Sequence, residues 1–309
     1  MKRIAPTFLV LLAGICLAVG ILVLWFGEAP RSYRGNAIQP RTPAILSPRD
    51  FQTSEDARLM AWLEKAEQSA FIKEIDSYLV RPLSDDVRTR MLDLEGVEVT
   101  SEQFAELHAL VKDCARILHL EKMPKIFVTE RTQFPTVVEN YSEPVVILHS
   151  SILDCFKEPA EMRFLIGREL GHVKGGHIRW HTLVRRTKTF ADKFSFLGDA
   201  TTCAPLLPLL RWTRECETTA DNAGLICAQD LKAAERVLIR MATGIDDESA
   251  ARINIDAYLR QSERDQTSDI SEFLVLWRQW NKPAPFAPTR IRQLRQYHES
   301  ARFRALWEH

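Results

Sequence analysis

The sequence predicts a mainly helical α+β domain with a small sheet, preceded by one N-terminal transmembrane helix. Three features carry this expectation. They are an uncharged apolar run near the amino terminus, a 3.6-residue apolar period that recurs from residue 55 onward, and two short β-type runs between helical stretches. The apolar run, FLVLLAGICLAVGILVLWF, holds 19 residues from Phe8 to Phe26 and no charge. As a helix it is about 28 Å long at ~1.5 Å per residue, close to the hydrocarbon thickness of a bilayer. Lys2 and Arg3 lie in the basic segment before it (residues 1–7), and Trp25 stands at its far end as an interfacial anchor does. A retained anchor over residues 8–26 is expected rather than a cleaved signal. Cleavage after Ala18-Val19-Gly20 would leave the apolar Ile21–Phe26 as the new terminus. A single-pass membrane protein with its main domain outside the cytoplasm follows, although Arg31, Arg34 and Arg41 dilute the charge asymmetry.

Residues 27–54 contain four prolines up to Asp50 and no apolar period, and are read as a tether. Residues 55–309 are read as one domain, because no second linker interrupts them. Helical periodicity runs through Glu55–Tyr78, Ser101–Leu118, Pro159–Lys174, Trp212–Ala228 and Leu231–Ala242, and returns in Ser249–Gln261, Ile270–Trp280 and Thr289–Ser300. The β-type runs are Lys125–Thr129 and Pro144–His149. A hydrophobic share of 46% supports a sizeable core. Lys plus Arg and Asp plus Glu both number 41, so a nucleic-acid partner recruited by net basic charge is not expected. The six cysteines include no CxxC pair, which argues against a zinc ribbon or a thioredoxin-type site. Cys203–Trp212, CAPLLPLLRW, has two prolines and too few residues to cross a membrane, and is expected to pack in the core.

The segment Phe164–His181 reads FLIGRELGHVKGGHIRWH. On a helix Arg168, Glu169 and His172 share a face. With a histidine at 168 this would be H-E-x-x-H, two imidazoles for zinc and a glutamate to activate a metal-bound water. Farther on, Glu217 and Asp221 are four residues apart on another helix, a possible carboxylate ligand and a carboxylate able to orient an imidazole. His177 and His181 are also four apart, and a zinc site built on His172, His177 or His181 is a rival arrangement. Gly175-Gly176 interrupt the helix before them, so a structural role is the default for His177. Cys216 reads as a small buried side chain, with no histidine partner within sequence reach.

With RELGH at 168–172 and ETTAD at 217–221, the chain resembles the HtpX-like and CAAX-prenyl-processing zinc endopeptidases, whose pattern is H-E-L-G-H followed by E-x-x-A-D. The resemblance extends over VVILHSSILDCFKEPAEMRFLIGRELGHVKGGH, TADNAGLICAQDLKAAERVLIRMA and PAPFAPTRIRQL, roughly residues 70–300. It implies a gluzincin-type fold with Glu169 as catalytic base, His172 and Glu217 as metal ligands, and Asp221 and Arg290 behind them. It also implies zinc as cofactor if the protein is active, and a peptide or membrane-protein partner.

The departures from the family pattern cluster at the site. Arg168 stands where the first ligand histidine is expected, and Ala284 where a late histidine precedes proline. Pro135-Thr136-Val137 stand near the place of an N-A-F stretch on the substrate-facing edge strand. A guanidinium stays protonated and offers no lone pair. At about 4 Å from a divalent cation its charge is repelled by about 8 kcal/mol at an effective dielectric of ~20. That is a large part of the ~10–16 kcal/mol with which structural zinc binds. Zinc and an inward-pointing Arg168 are therefore not expected together. The expected alternative is a bidentate Arg168–Glu217 pair in a catalytically impaired pseudopeptidase without metal. An active zinc endopeptidase with a substitute ligand is the rival.

Overall fold

The computed structural model describes residues 40–66, 85–130, 136–139, 143–182, 207–263 and 284–308. The expected membrane helix 8–26, the second half of the Glu55–Tyr78 stretch and the Ile270–Trp280 helix lie outside the described residues. Among those described, no helix is long and apolar enough to cross a membrane. The architecture is mainly helical with one small sheet, as the periodicity implies.

The chain enters through α1 (Pro48–Phe51) and α2 (Ser54–Ala66), then α3 (Asp85–Glu95), β1 (Val97–Glu98) and α4 (Ala105–Ile117). Three strands follow, β2 (Lys125–Thr129), β3 (Thr136–Glu139) and β4 (Val145–His149), then α5 (Ser151–Cys155) and the long α6 (Pro159–Lys174). The rest is helical: α7 (Leu207–Ala228), α8 (Leu231–Thr243), α9 (Asp247–Ala251), α10 (Ile255–Gln261), α11 (Ala287–Glu299) and α12 (Ala301–Ala305).

The sheet order is β1-β2-β4-β3, with β2 and β4 parallel and both outer pairs antiparallel. The two central strands are buried on both faces, which is why they read as continuous apolar runs rather than alternating ones. Phe127, Val145 and Ile147 pack with Leu92 of α3. Apolar patterning does not mark β1, which is two residues long, or β3 (Thr136–Glu139), which stands at the end of the sheet order where the family resemblance puts an edge strand.

Helix boundaries follow local chemistry. Pro159 starts α6 at a position where its missing N–H is not needed. Gly176, at φ +72°, takes the left-handed turn just beyond α6. Asp230 caps α8 by accepting from the Ala233 N–H, and Gly244 ends it in the left-handed region. The stretch Ser249–Gln261, expected as one helix, is two: Asn254 accepts from the Ala257 N–H and starts α10 afresh. The helix expected from Trp212 begins instead at Leu207, since Pro208 falls in its first turn and is tolerated there.

The tether is shorter than expected. Leu46 and Phe51 are buried. Asn222 Nδ2 donates to the Phe51 carbonyl, and the Thr53 N–H donates to Thr219 Oγ1. The apolar Leu46 and Phe51, spaced too irregularly to show a period, bring residues 46–54 onto the domain.

The core is organised around α6. Every residue from Pro159 to Leu170, except half-buried Ala160, is buried, as befits a helix surrounded by others. It lies against α7 at unusually close range. A Cβ on Gly171 would stand 2.5 Å from Ala223 Cβ, one on Gly167 would stand 2.7 Å from Cys227 Cβ, and one on Gly224 would stand 2.7 Å from the Phe164 carbonyl oxygen. Small residues on both helices set this separation. Gly171→Ala should therefore lower unfolding stability by about 1–3 kcal/mol through overpacking. Urea unfolding of the purified protein measures it, and an unchanged midpoint would show that the helices have room to part.

Candidate functional site

The close α6–α7 contact brings RELGH and ETTAD together. Arg168 and His172 on α6 face Glu217 and Asp221 on α7, and the first turn of α11 adds Arg290. The expected bidentate Arg168–Glu217 pair is not what forms. The guanidinium instead spans two carboxylates, with Nε donating to Asp221 Oδ1 at 2.6 Å and Nη2 to Glu217 Oε2 at 2.5 Å. Glu169 Oε1 lies 3.6 Å from Nη1. The departure has a geometric cause: Glu217 and Asp221 are one helical turn apart, and a fork lying along α7 meets both. Arg290 takes Asp221 from the other side, Nε to Oδ2 at 2.7 Å and Nη2 to Oδ1 at 2.6 Å. Asp221 thus bridges two guanidiniums and is 1% exposed.

Burial alone would pull the Arg168 pKa down, but Asp221, Glu217 and Glu169 together hold it above the ordinary arginine value. The guanidinium is therefore a fixed cation. Among the described residues, the Asp221 oxygens accept from Arg168 and Arg290.

His172 is placed from the other direction. Gly175 and Gly176 end α6, and the chain turns so that His177 and His181 come back to it. The His181 N–H bonds to the His177 carbonyl at 3.0 Å, which puts the two on one turn. His172 Nδ1 lies 3.0 Å from His177 Nδ1, and His177 Nε2 lies 3.1 Å from Asp56 Oδ2. Asp56 also accepts from Trp212 Nε1 at 2.9 Å and Thr219 Oγ1 at 2.8 Å. Burial would raise the Asp56 pKa, but His177, Thr219 and Gln52 hold it below the usual carboxylate range. His177 is fully buried and bonded at both ring nitrogens, in keeping with its default structural role. Burial pushes the His172 pKa well below the ordinary imidazole range, and His181, His177, Arg168 and Arg290 push the same way. His172 Nε2 faces Glu217 Oε1 at 3.6 Å.

No histidine lies within sequence reach of Cys216, and the fold brings one to it from 35 residues away. His181 Nε2 lies 3.0 Å from its Sγ, and the thiol also reaches the Thr213 carbonyl at 3.1 Å. Cys216 does match its expected burial, which pushes its thiol pKa well up, with Glu217 and Asp56 adding to the shift. The donor atoms of His172, His181 and Cys216 all lie within 4.8 Å of one another. Sequence reasoning missed Asp56, which lies beyond any motif, and the Cys216–His181 contact. The only available signal was the i, i+4, i+7 spacing of Trp212, Cys216 and Thr219, which puts the thiol on the same helix face as two partners of Asp56.

The model of peptidase family M48 matches residues 101–298. The plastoglobule-localized metallopeptidase 48 of the Arabidopsis thaliana chloroplast is 27% identical over 217 residues, covering 68% of this chain. The match takes in 62% of that relative, so the chain spans less than two thirds of its length.

Because Asp221 is the shared counter-ion of two buried guanidiniums, Asp221→Ala should destabilise the fold by about 3–5 kcal/mol. Chemical denaturation of wild type and variant reads this directly. A loss under ~1 kcal/mol would mean that Glu217 and Glu169 compensate both arginines without it.

Proposed function

The chain belongs to peptidase family M48, and from that premise we propose that it is a pseudopeptidase, a member that keeps the peptidase frame and binds peptide segments without cutting them. The observation that carries this is the seat of Arg168. In the family pattern its position supplies the first imidazole to zinc; here a guanidinium lies there, bonded to Glu217 and Asp221 and close to Glu169. Peptidases of this family depend on zinc. The family's ligand set does not fit that ion here: one of three donors is lost, and the replacement is a buried positive charge with no lone pair. Arg168 supplies in fixed form the charge that a metal supplies elsewhere, and it satisfies the carboxylates that the frame retains.

What remains suits binding. β3 stands at the end of the sheet order, where backbone groups are able to pair with an extended peptide. Residues 8–26 would hold the domain at a membrane, on its extracytoplasmic side, within reach of unfolded segments of membrane proteins. Ala284, in place of the late family histidine, fits a site relieved of transition-state contacts. A second reading, an active zinc endopeptidase with a substitute ligand, draws on the nearness of His172, His181 and Cys216.

Hydrolysis of an unfolded, fluorescently labelled polypeptide separates the two. Wild type with zinc supplied should bind this substrate and leave it intact. Arg168→His should gain chelator-sensitive cleavage that wild type lacks, because a neutral imidazole there restores the third zinc ligand and removes the repelling charge. Cleavage by wild type that Glu169→Gln abolishes would falsify the pseudopeptidase assignment.

A further inference from the structure

A cavity of about 840 Å³ opens beside the start of β2 and β4 and the last turn of α6. Its walls come from residues other than Arg168, His172, Glu217 and Asp221. Lys125 and Val145 lie opposite each other on the two strands, and Val173 and Lys174 come from the helix. Leu120, Val145 and Val173 give apolar walls. Met123, 40% exposed, adds an unbranched side chain that adapts to what it meets. The volume falls within the ~300–1,000 Å³ of small-molecule sites, which combine apolar walls with a few polar groups.

Most of the charged groups around it are cations. Arg90 of α3, Lys122 and Lys125 around the start of β2, and Lys174 of α6 line the cavity, against Glu121 and Glu143. Four positive charges against two negative ones leave an excess of two, in a chain whose charges cancel overall. Lys122 pairs with Glu143 at 2.8 Å, and Lys174 Nζ donates to the His119 carbonyl at 2.7 Å, which pins the end of α6 to the end of α4. Arg90 and Lys125 have no ion pair with a described residue. A guanidinium fork beside an ammonium suits an oxyanion with two or more oxygens. Arg90, Lys122 and Lys125 are exposed while Pro124 and Val145 are buried, so the charge lies at the mouth and apolar surface lies within. An extended peptide is not the occupant that these walls favour. β2 and β4 are the central strands, each with a neighbour on both sides, and offer no free edge to pair with. Pro124 and Pro144 stand directly before them and have no N–H to donate.

We propose that this cavity binds a small amphipathic anion, with its apolar body against Val145 and Val173 and a carboxylate or phosphate head held by Arg90 and Lys125. The body gains by leaving water, and the head gains charge-assisted hydrogen bonds at the mouth. Glu121 opposes the head as a like charge. Binding is reversible and changes no covalent bond. The ligand rests against the last turn of the helix that carries RELGH, but the site stands or falls independently of the pseudopeptidase assignment.

Lysine acylation of the full-length protein in phosphatidylcholine nanodiscs tests this, with modified positions read by mass spectrometry. Dodecanoate or dodecyl phosphate should slow acylation of Lys125 saturably and leave the exposed Lys65 and Lys232 unchanged. The tighter of the two names the head group. Dodecanol has the same chain without charge, and acetate has a head without the chain; neither should shield Lys125 at the same concentration. Arg90→Gln, at an exposed position, should weaken shielding about tenfold or more, as loss of a hydrogen bond to a charged group does. Glu121→Gln should tighten binding, a gain that a misfolded variant does not give. No change at Lys125, equal shielding by dodecanol, or equal shielding of Lys65 and Lys232 overturns the site. Shielding by an acidic peptide with none by either amphiphile also overturns it, and assigns the cavity to a protein partner. Each of these results leaves the peptide-cleavage test untouched.

Discussion

The buried guanidinium of Arg168 sets the terms for everything around it. A charge that is 3% exposed carries a desolvation penalty of several kcal/mol unless it is paired and its donors are satisfied. Asp221 and Glu217 on α7 satisfy it, Glu169 stands beside it, and Arg290 from α11 balances the second side of Asp221. Three helices distant in sequence are thereby tied to one small set of charges. Such a set is unforgiving, because removing any single member strands its partner in a low-dielectric place.

Close packing and charge are linked here. Gly167, Gly171 and Gly224 let α6 and α7 approach until there is no room for a side chain between them at those points. Polar head groups one residue away are then brought within hydrogen-bond range of the facing helix, and a wider gap would leave them to find water. The same approach that places Arg168 on Glu217 and Asp221 also places His172 beside Glu217 Oε1 and within reach of Cys216. One carboxylate therefore has two faces, one held by a guanidinium and the other directed at imidazole nitrogen.

A second polar chain runs from Asp56 through His177 to His172, with Trp212 and Thr219 completing the hydrogen bonds of the aspartate. It anchors α2 against α7 and ties the ring of His172 to it. The segment ahead of α2 contributes to the same anchoring, as Phe51 and Thr53 bond to Asn222 and Thr219. A stretch with the composition of a tether thus becomes part of the wall of the domain.

The sequence by itself determined that the domain is mainly helical with a small sheet, which strands form the sheet centre and which two helices carry RELGH and ETTAD. It did so because 3.6-residue periodicity, apolar runs and the RELGH and ETTAD spacings are local properties. It also determined that Arg168 would seek carboxylates, since a guanidinium cannot be neutralised by losing its proton. Only the tertiary structure decided which oxygens Arg168 holds, because the choice between Glu217 and Asp221 depends on how two helices 49 to 53 residues apart are set against each other. The same holds for the Asp56 chain and the His181–Cys216 contact, which join residues 121 and 35 positions apart. No spacing rule reaches that far: a helix turn relates residues three or four apart, and beyond that range only the packing of the whole core says which side chains meet.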